Sequence, residues 1–411
     1  MPARARGSTG APPPTCVIRS SHKGYHACLG MSPPTTTKAV RLIPALLALL
    51  IVGALCPKEA RRSEPPSPEP ELKLAALSAQ LSEPGGYFDS DNLISNETSY
   101  LQVADQLADT VAPGGVYVGV GPDQNFNYIA RIRPRYAFIL DIRRQNMLQH
   151  LLFAALLAQA DDAYQYLCLL FSRSCPSATP EGALRGVERT LQALGPAPPS
   201  EEVFAGNLQA VYQQIEGPLQ FTLQTQDRAD IRAIYRAFFE EQAEIRFRSF
   251  RRPWAVYHPT YRNLLLTRSP SGRFGYFLDS LEDYRVVRDL ARAQRIIPVV
   301  GDFAGPQALR AIGRWVREHG LTVSAFYTSN VEFYLLRNDA FERFMANVRE
   351  LPTKPDSLLI RACFGYGRSH PAELPGHRSA TLLQRIPRFL ELNAAGSYTS
   401  YWDVCTLDYL H

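Results

Sequence analysis

The pattern of apolar and polar positions changes character at Leu72. Beyond it, TSYLQVADQLADTV (Thr98–Val111) places Leu101, Ala104, Leu107, Ala108 and Val111 on one helical face, and APGG stops that helix. VYVGV (Val116–Val120) is short and largely apolar, as a strand buried on both faces is. Phe126–Arg133 predicts a helix ended by Pro134, because the residue before a proline avoids the helical region. YAFILDI (Tyr136–Ile142) predicts a second strand, and a long apolar helix follows over Asn146–Ala160.

Strand–helix alternation then breaks off. Residues 161–275 hold several amphipathic helix patterns, among them EGALRGVERTLQALG and DIRAIYRAFFEEQAEI, and RSPSGRFGYFLDS (Arg268–Ser280) closes the section as a loop or hairpin. Alternation resumes with a strand at RIIPVVGDF (Arg295–Phe303). Gly305–Gly320 predicts a helix with a proline near its first turn and a glycine at its end. TVSAFYTSN (Thr322–Asn330) predicts a strand, VEFYLLRNDAFERFMANVREL a helix, and DSLLIRACF (Asp356–Phe364) another strand. SATLLQRIPRFLELNAAG (Ser379–Gly396) predicts a helix kinked or broken at Pro387, and YWDVCTLDY (Tyr401–Tyr409) a last strand. Strands separated by helices imply a parallel sheet covered on both faces. The predicted class is α/β, with a Rossmann-like, mostly parallel sheet and a long, mainly helical insertion between the second and third strands.

Upstream of this body the pattern is different. Residues 1–30 are Pro-, Arg- and Ser-rich without periodicity, which predicts a disordered leader or a start codon placed too early, with Met31 the better start. Lys38 and Arg41 precede LIPALLALLIVGALC (Leu42–Cys56), a 15-residue apolar run. That is short of the roughly 20 residues a spanning helix needs, and a basic flank before a short apolar run is a secretory pattern. The segment 31–56 is therefore expected to be a signal peptide or a membrane anchor, giving an exported or membrane-associated protein. GALC would make Cys56 a lipidation site, although Leu55 stands where a small residue is wanted. The Pro/Glu-rich stretch Pro57–Glu71 lacks core formers and reads as an extended tether.

Charge narrows the choice of partner. The chain of 411 residues carries a formal charge of +5, and residues 1–71, with nine Lys/Arg against four Asp/Glu, account for all of it. The body is balanced, without the electrostatic footprint of a nucleic-acid binder. None of the seven cysteines sits in a C-x-x-C pair and no histidines cluster beside them, so no metal is expected. Cys168 and Cys175 could pair in an oxidising compartment; unpaired buried thiols are the default expectation.

Open parallel sheets bind ligands beyond the carboxyl ends of their strands. The first strand ends in GVGPDQN (Gly119–Asn125), where Gly119 and Gly121 allow a tight turn and the next helix points its N-terminus into the same space. The second ends at Asp141, 20 positions after Gly121, the offset at which a carboxylate reaches a ribose hydroxyl. The third ends near Asp302 and the fourth at Ser329 and Asn330. Gln124 stands where a dinucleotide fingerprint would need a third glycine. Asn92, Asn96 and Glu97 could fold over the pocket, but capping of the first helix by Ser95 or Asn96 is slightly preferred.

This order of elements resembles class I S-adenosylmethionine-dependent methyltransferases. More closely, GVGPDQNFNYIARIRPRYAFILDIRRQN, VVGDFAGPQAL and FYTSNVEFYL resemble an uncharacterised bacterial family with a methyltransferase-like fold, over roughly Ser82–Phe364. The resemblance implies a cofactor set of Gly119, Gly121, Asp123, Asp141 and Asp302 around S-adenosylmethionine. Gly119 and Gly121 would lie under its methionine part, Asp141 on the ribose and Asp302 facing the adenine. It also implies a substrate position at Ser329 and Asn330, with Glu332 able to supply a carboxylate. SNVEFY lacks the prolines of an amino-methyltransferase, so the acceptor is not named by it. An exported body would be separated from a cytoplasmic cofactor. The alternative is therefore a non-catalytic, envelope-associated ligand- or partner-binding protein on a degenerate methyltransferase fold.

Overall fold

The computed structural model describes residues 73–250, 258–365 and 367–410. The leader, the signal or anchor segment 31–56 and the linker 57–71 lie outside the described residues. Among the described residues no helix is long and apolar enough to cross a membrane.

Six strands form one sheet: β1 (Val116–Gly119), β2 (Tyr136–Asp141), β3 (Ile296–Val300), β4 (Val323–Ser329), β5 (Thr353–Phe364) and β6 (Ser379–Arg385). Their order is β3-β2-β1-β4-β5-β6. The first five run parallel, and β6 is antiparallel to β5. The chain winds outward from β1 in one direction and then, through β4, in the other, so the switch point lies between β1 and β4. Every residue of β1, β2 and β3 is buried, which explains their unbroken apolar runs: helices cover both faces.

The helices follow from what they cover. Two early ones, α1 (Leu74–Leu81) and α2 (Ala104–Thr110), precede β1. Every residue of α3 (Asn125–Ile132) is buried, and α4 (Arg144–Gln159) buries eleven side chains. Both are covered on their outer side by the insertion: α5 (Ala163–Leu170), α6 (Val187–Leu194), α7 (Glu201–Glu216), α8 (Thr225–Glu241) and α9 (Tyr261–Leu265), completed by α10 (Leu281–Arg292). The predicted helical section between the second and third strands is thus present, and it makes α4 an interior helix. On the other flank, α11 (Ala308–Glu318) turns Leu309, Ile312, Trp315 and Val316 inward. The Trp315 ring meets Tyr136 and Phe138 of β2 edge-on, 5.0 and 5.2 Å between centroids.

Four expectations need correction. The helix expected after β4 is two, α12 (Val331–Arg337) and α13 (Phe341–Arg349), parted at Asp339, whose φ of 51° is left-handed. Ser379–Arg385 is a strand, because the outer edge of β5 offers seven residues of antiparallel register. A short apolar run is ambiguous in periodicity, and here the free edge decides. Pro387 therefore kinks nothing; it sits in the first turn of α14 (Ile386–Ala394), where a missing N–H costs no hydrogen bond. Residues 401–409 contain a helix, α15 (Tyr401–Thr406), and no strand. Its start is a capping box: Ser400 Oγ accepts from Asp403 N (3.3 Å) and Asp403 Oδ2 accepts from Ser400 N (2.8 Å).

The cysteines are the fourth correction. Unpaired thiols were the default, yet Cys168–Cys175 and Cys363–Cys405 are disulfides, with Cα atoms 6.0 and 5.9 Å apart. The second ties α15 to the end of β5 across a separation of 42 residues. Closing a loop of that length restricts the unfolded chain, so Cys363→Ala/Cys405→Ala is expected to lower unfolding free energy by about 2–4 kcal/mol. The measurement is the urea midpoint, with an unchanged midpoint counting against a stabilising role.

Candidate functional site

The turn after β1 is closed by its own helix. A Cβ on Gly119 would fall 2.0 Å from Asn125 Oδ1 and 2.7 Å from the Tyr117 hydroxyl, so glycine is required there for an internal contact. Asn125 holds the loop: Nδ2 donates to the carbonyls of Val120 (2.8 Å) and Pro122 (2.7 Å), and Oδ1 accepts from Tyr117 (2.8 Å). Gly121 takes a left-handed φ of 80°. Its carbonyl bonds His150 Nε2 of α4 at 2.8 Å.

A segment from Ser82 to Glu97 then crosses the carboxyl ends of the sheet. Glu83 N donates to Val300 O at the end of β3, and Gly86 N to Ile142 O just beyond β2. A Cβ on Gly85 would lie 3.0 Å from Ile142 O, so the crossing is close. The Glu83 carboxylate accepts from the backbone N–H groups of Asp302 (2.9 Å), Gln307 (2.7 Å) and Ala308 (3.2 Å), filling the start of α11. Asp302 itself turns to Ala304 N (2.9 Å). Asp141 accepts from Arg143 N (2.9 Å) and pairs with its guanidinium (3.3 Å). Arg143 Nη1 goes on to the carbonyl of Asp91 (2.7 Å). Arg144 is drawn away to Asp227 of α8, leaving Arg143 as the cation placed at Asp141.

The far end of the segment delivers Glu97, 1% exposed, to the end of β4. It accepts from Tyr327 OH (2.8 Å), Gln124 Nε2 (2.9 Å) and Ser329 Oγ. Ser329 is left-handed at φ 55°, an uncommon state for a side-chain-bearing residue. Burial pushes the Glu97 carboxyl up despite these three donors. Asp123, also buried, accepts from Tyr261 of α9, and burial raises it to about 6. His150 is pushed down by burial to about 4 and is neutral.

The structure therefore brings Gly119, Gly121, Asp123 and Ser329 to one end of the sheet, with Asn330 beside Ser329. Asp141 and Asp302 lie there too, but covered. Glu332 is a correction: it does not serve the cleft, because Thr328 Oγ1 (2.8 Å) and Arg361 Nε (3.2 Å) hold it in a fully buried pair. Arg361 also binds Gln384 and the carbonyl of Val404, each at 2.8 Å, which fixes β5, β6 and α15 together. The preference for helix capping in Asp91–Tyr100 is a second correction: Ser95 Oγ accepts only from Glu97 N at 3.1 Å, and Glu97 folds over the site. Sequence reasoning gave Glu97 too little weight and missed Gln124, Tyr327 and His150 as site groups. A charged residue inside SNETSY and a lone histidine in an apolar helix were the available signals.

As arranged, these residues do not fit S-adenosylmethionine. The strand-end carboxylate meant for a ribose is spent on Arg143, the Gly119 cradle is filled by Asn125, and Glu83 occupies the end of β3. A nucleotide phosphate would need further cations at the glycine turn, and Arg144 points elsewhere.

A family model described as a domain of unknown function (DUF7790) matches residues 92–182 and 199–394, well over half of the chain, and includes Glu97, Gly119, Gly121, Asp123, Asp141, Arg143, His150, Asp302 and Ser329. No curated protein matches the chain.

The buried acids set a pH signature. Below the ordinary aspartate value of 3.8 Asp123 is protonated folded or unfolded; between 3.8 and about 6 only the unfolded chain ionises, so stability falls as pH rises through that window. Asp123→Asn removes this pH dependence and keeps an acceptor for Tyr261. Its stability relative to the native chain is expected to grow by about 3 kcal/mol across the window and then level off. His150 has the opposite sign, losing stability as pH falls from 6.5 towards about 4, and cancels in the difference. Urea unfolding at several pH values tests this; a pH-independent difference would refute it.

Proposed function

The chain belongs to the DUF7790 family, and from that premise we propose an exported small-molecule-binding protein, built on a methyltransferase-like sheet whose cofactor position its own segment Ser82–Glu97 fills. The observation that carries this reading is the Arg143 guanidinium, which joins Asp141 to the carbonyl of Asp91 and so clamps the segment over the second strand end. The sheet order, doubly wound about β1 with an antiparallel strand closing one side, supports the methyltransferase-like part. The disulfides support the address: all four cysteines among the described residues are paired, as in proteins that mature in an oxidising compartment. S-adenosylmethionine is a cytoplasmic metabolite, so export and loss of its seat agree.

Methyl transfer is the second reading. Ser329 favours it, since a left-handed serine bonded to a buried carboxyl at a strand end is the kind of strained feature active sites keep.

Calorimetric titration of the full chain with S-adenosylmethionine, with Asp141→Ala in parallel, separates the two. No heat of binding is expected at about 1 mM ligand. Micromolar binding that Asp141→Ala abolishes would overturn the proposal and restore methyl transfer.

A further inference from the structure

Three buried side chains around the glycine turn leave polar atoms without a hydrogen-bond partner in the chain: Gln124 Oε1, His150 Nδ1, and both amide atoms of Asn146. Their residues are 2%, 3% and 1% exposed. An unfilled buried polar group costs about 1–3 kcal/mol, and native proteins rarely leave several together without a use. These share one place. Asn146 and His150 are four apart on α4 and so lie on one face. His150 touches the Gly121 carbonyl, and Gln124 ends the same turn. Asn92 of the crossing segment lies over Gly121, its Nδ2 3.4 Å from where a Cβ would be. The far end of the cover is strained: Ser329, which holds it through Glu97, has φ 55°.

We infer that the floor formed by Gln124, Asn146 and His150 beneath Asn92–Glu97 is a binding site for a neutral, hydroxyl-rich small molecule, a sugar or polyol; this rests on the ligand-binding reading above. The chemistry of the vacant atoms selects the class. Gly121 O can only accept, so His150 Nε2 carries the proton and Nδ1 is an acceptor. Gln124 Nε2 is spent on Glu97 and Tyr327, so its Oε1 is an acceptor as well. Asn146 adds one acceptor and one donor. Three acceptors and one donor match hydroxyl groups, which give a proton and can receive one. The cations nearby are already matched, Arg143 by Asp141 and Arg144 by Asp227, while Glu97 and Asp123 are met by hydroxyl and amide donors. Among the described residues an anion would find no free cation there, whereas a neutral ligand needs none. Relief of strain at Ser329 would accompany lifting of the segment to admit it.

The test is thermal-shift and calorimetric titration of the full chain with D-glucose, trehalose and myo-inositol, with inorganic phosphate and S-adenosylmethionine as contrasting probes. The variants are Asn146→Leu and His150→Phe, which replace the vacant polar atoms by apolar surface. At least one polyol is expected to bind, and each variant is expected to weaken it about tenfold or more while melting no lower than the native chain without ligand. Either variant suffices should the other fail to fold. No response to any of the three polyols at about 10 mM, or equal binding by a folded variant, overturns the inference. Phosphate binding in place of polyol overturns the neutral class. S-adenosylmethionine binding overturns the ligand-binding reading itself, whereas silence from both polyols and S-adenosylmethionine removes only this inference.

Discussion

The site depends on one buried cation. The Arg143 guanidinium is taken out of water and can persist there only with a counter-charge and acceptors, which Asp141 and the carbonyl of Asp91 provide. The first belongs to the sheet and the second to the crossing segment, so the desolvation requirement of a single side chain binds the two together. Removing either partner would strand a buried charge, at a cost of about 3–5 kcal/mol. Everything laid over the strand ends follows: Glu83 at the start of α11, the close pass of Gly85, and the delivery of Glu97 to Ser329. The strand-end carboxylate that would serve a ribose in an open cleft serves here as the anchor of a clasp.

Two buried acid sites show how differently such groups can be used. Glu332 and Arg361 neutralise each other and tie three elements of the sheet's far side, so their burial is repaid by structure. Glu97 and Asp123 face hydroxyls and an amide in place of a cation, and both carboxyls are pushed up by burial. A sequence selected only for stability would replace them with apolar groups, because desolvation without a counter-charge is a standing cost. Their clustering with the vacant atoms of Asn146 and His150 places this cost at one end of the sheet. That is where open α/β sheets carry their ligands.

The sequence made most of the frame legible. Buried parallel strands have no polar face, so VYVGV and YAFILDI stand out as continuous apolar runs, and the turn residues between them mark the helix starts. Legibility failed where a distant partner decides the local state. SATLLQR is a strand because β5 has a free edge, and SYWD starts a helix because Ser400 and Asp403 cap each other. The candidate site divided the same way. Gly119, Gly121 and Ser329 sit where strand ends put them, since position along a strand fixes position in the sheet. Glu332 is held by Thr328, four positions earlier, and by Arg361 on the neighbouring strand, 29 positions later, a partner that no local pattern reveals. Glu97 was undervalued because a polar cluster before a helix usually caps it, and the contact that recruits it lies 232 residues downstream at Ser329.

The conflict expected between a cytoplasmic cofactor and a signal-like N-terminus is one that the proposed reading would remove. Disulfides form and persist where thiols are not held reduced, and one pair here, Cys168–Cys175, lies in the helical insertion while the other ties α15 to the end of β5. The segment that covers the strand ends is held by contacts with Val300, Ile142 and Arg143. The paired cysteines and the covered strand ends are separate observations that support the same proposed reading. At the strand ends polar groups are met by the protein's own chain in place of water: Asp141 by Arg143, and the start of α11 by Glu83.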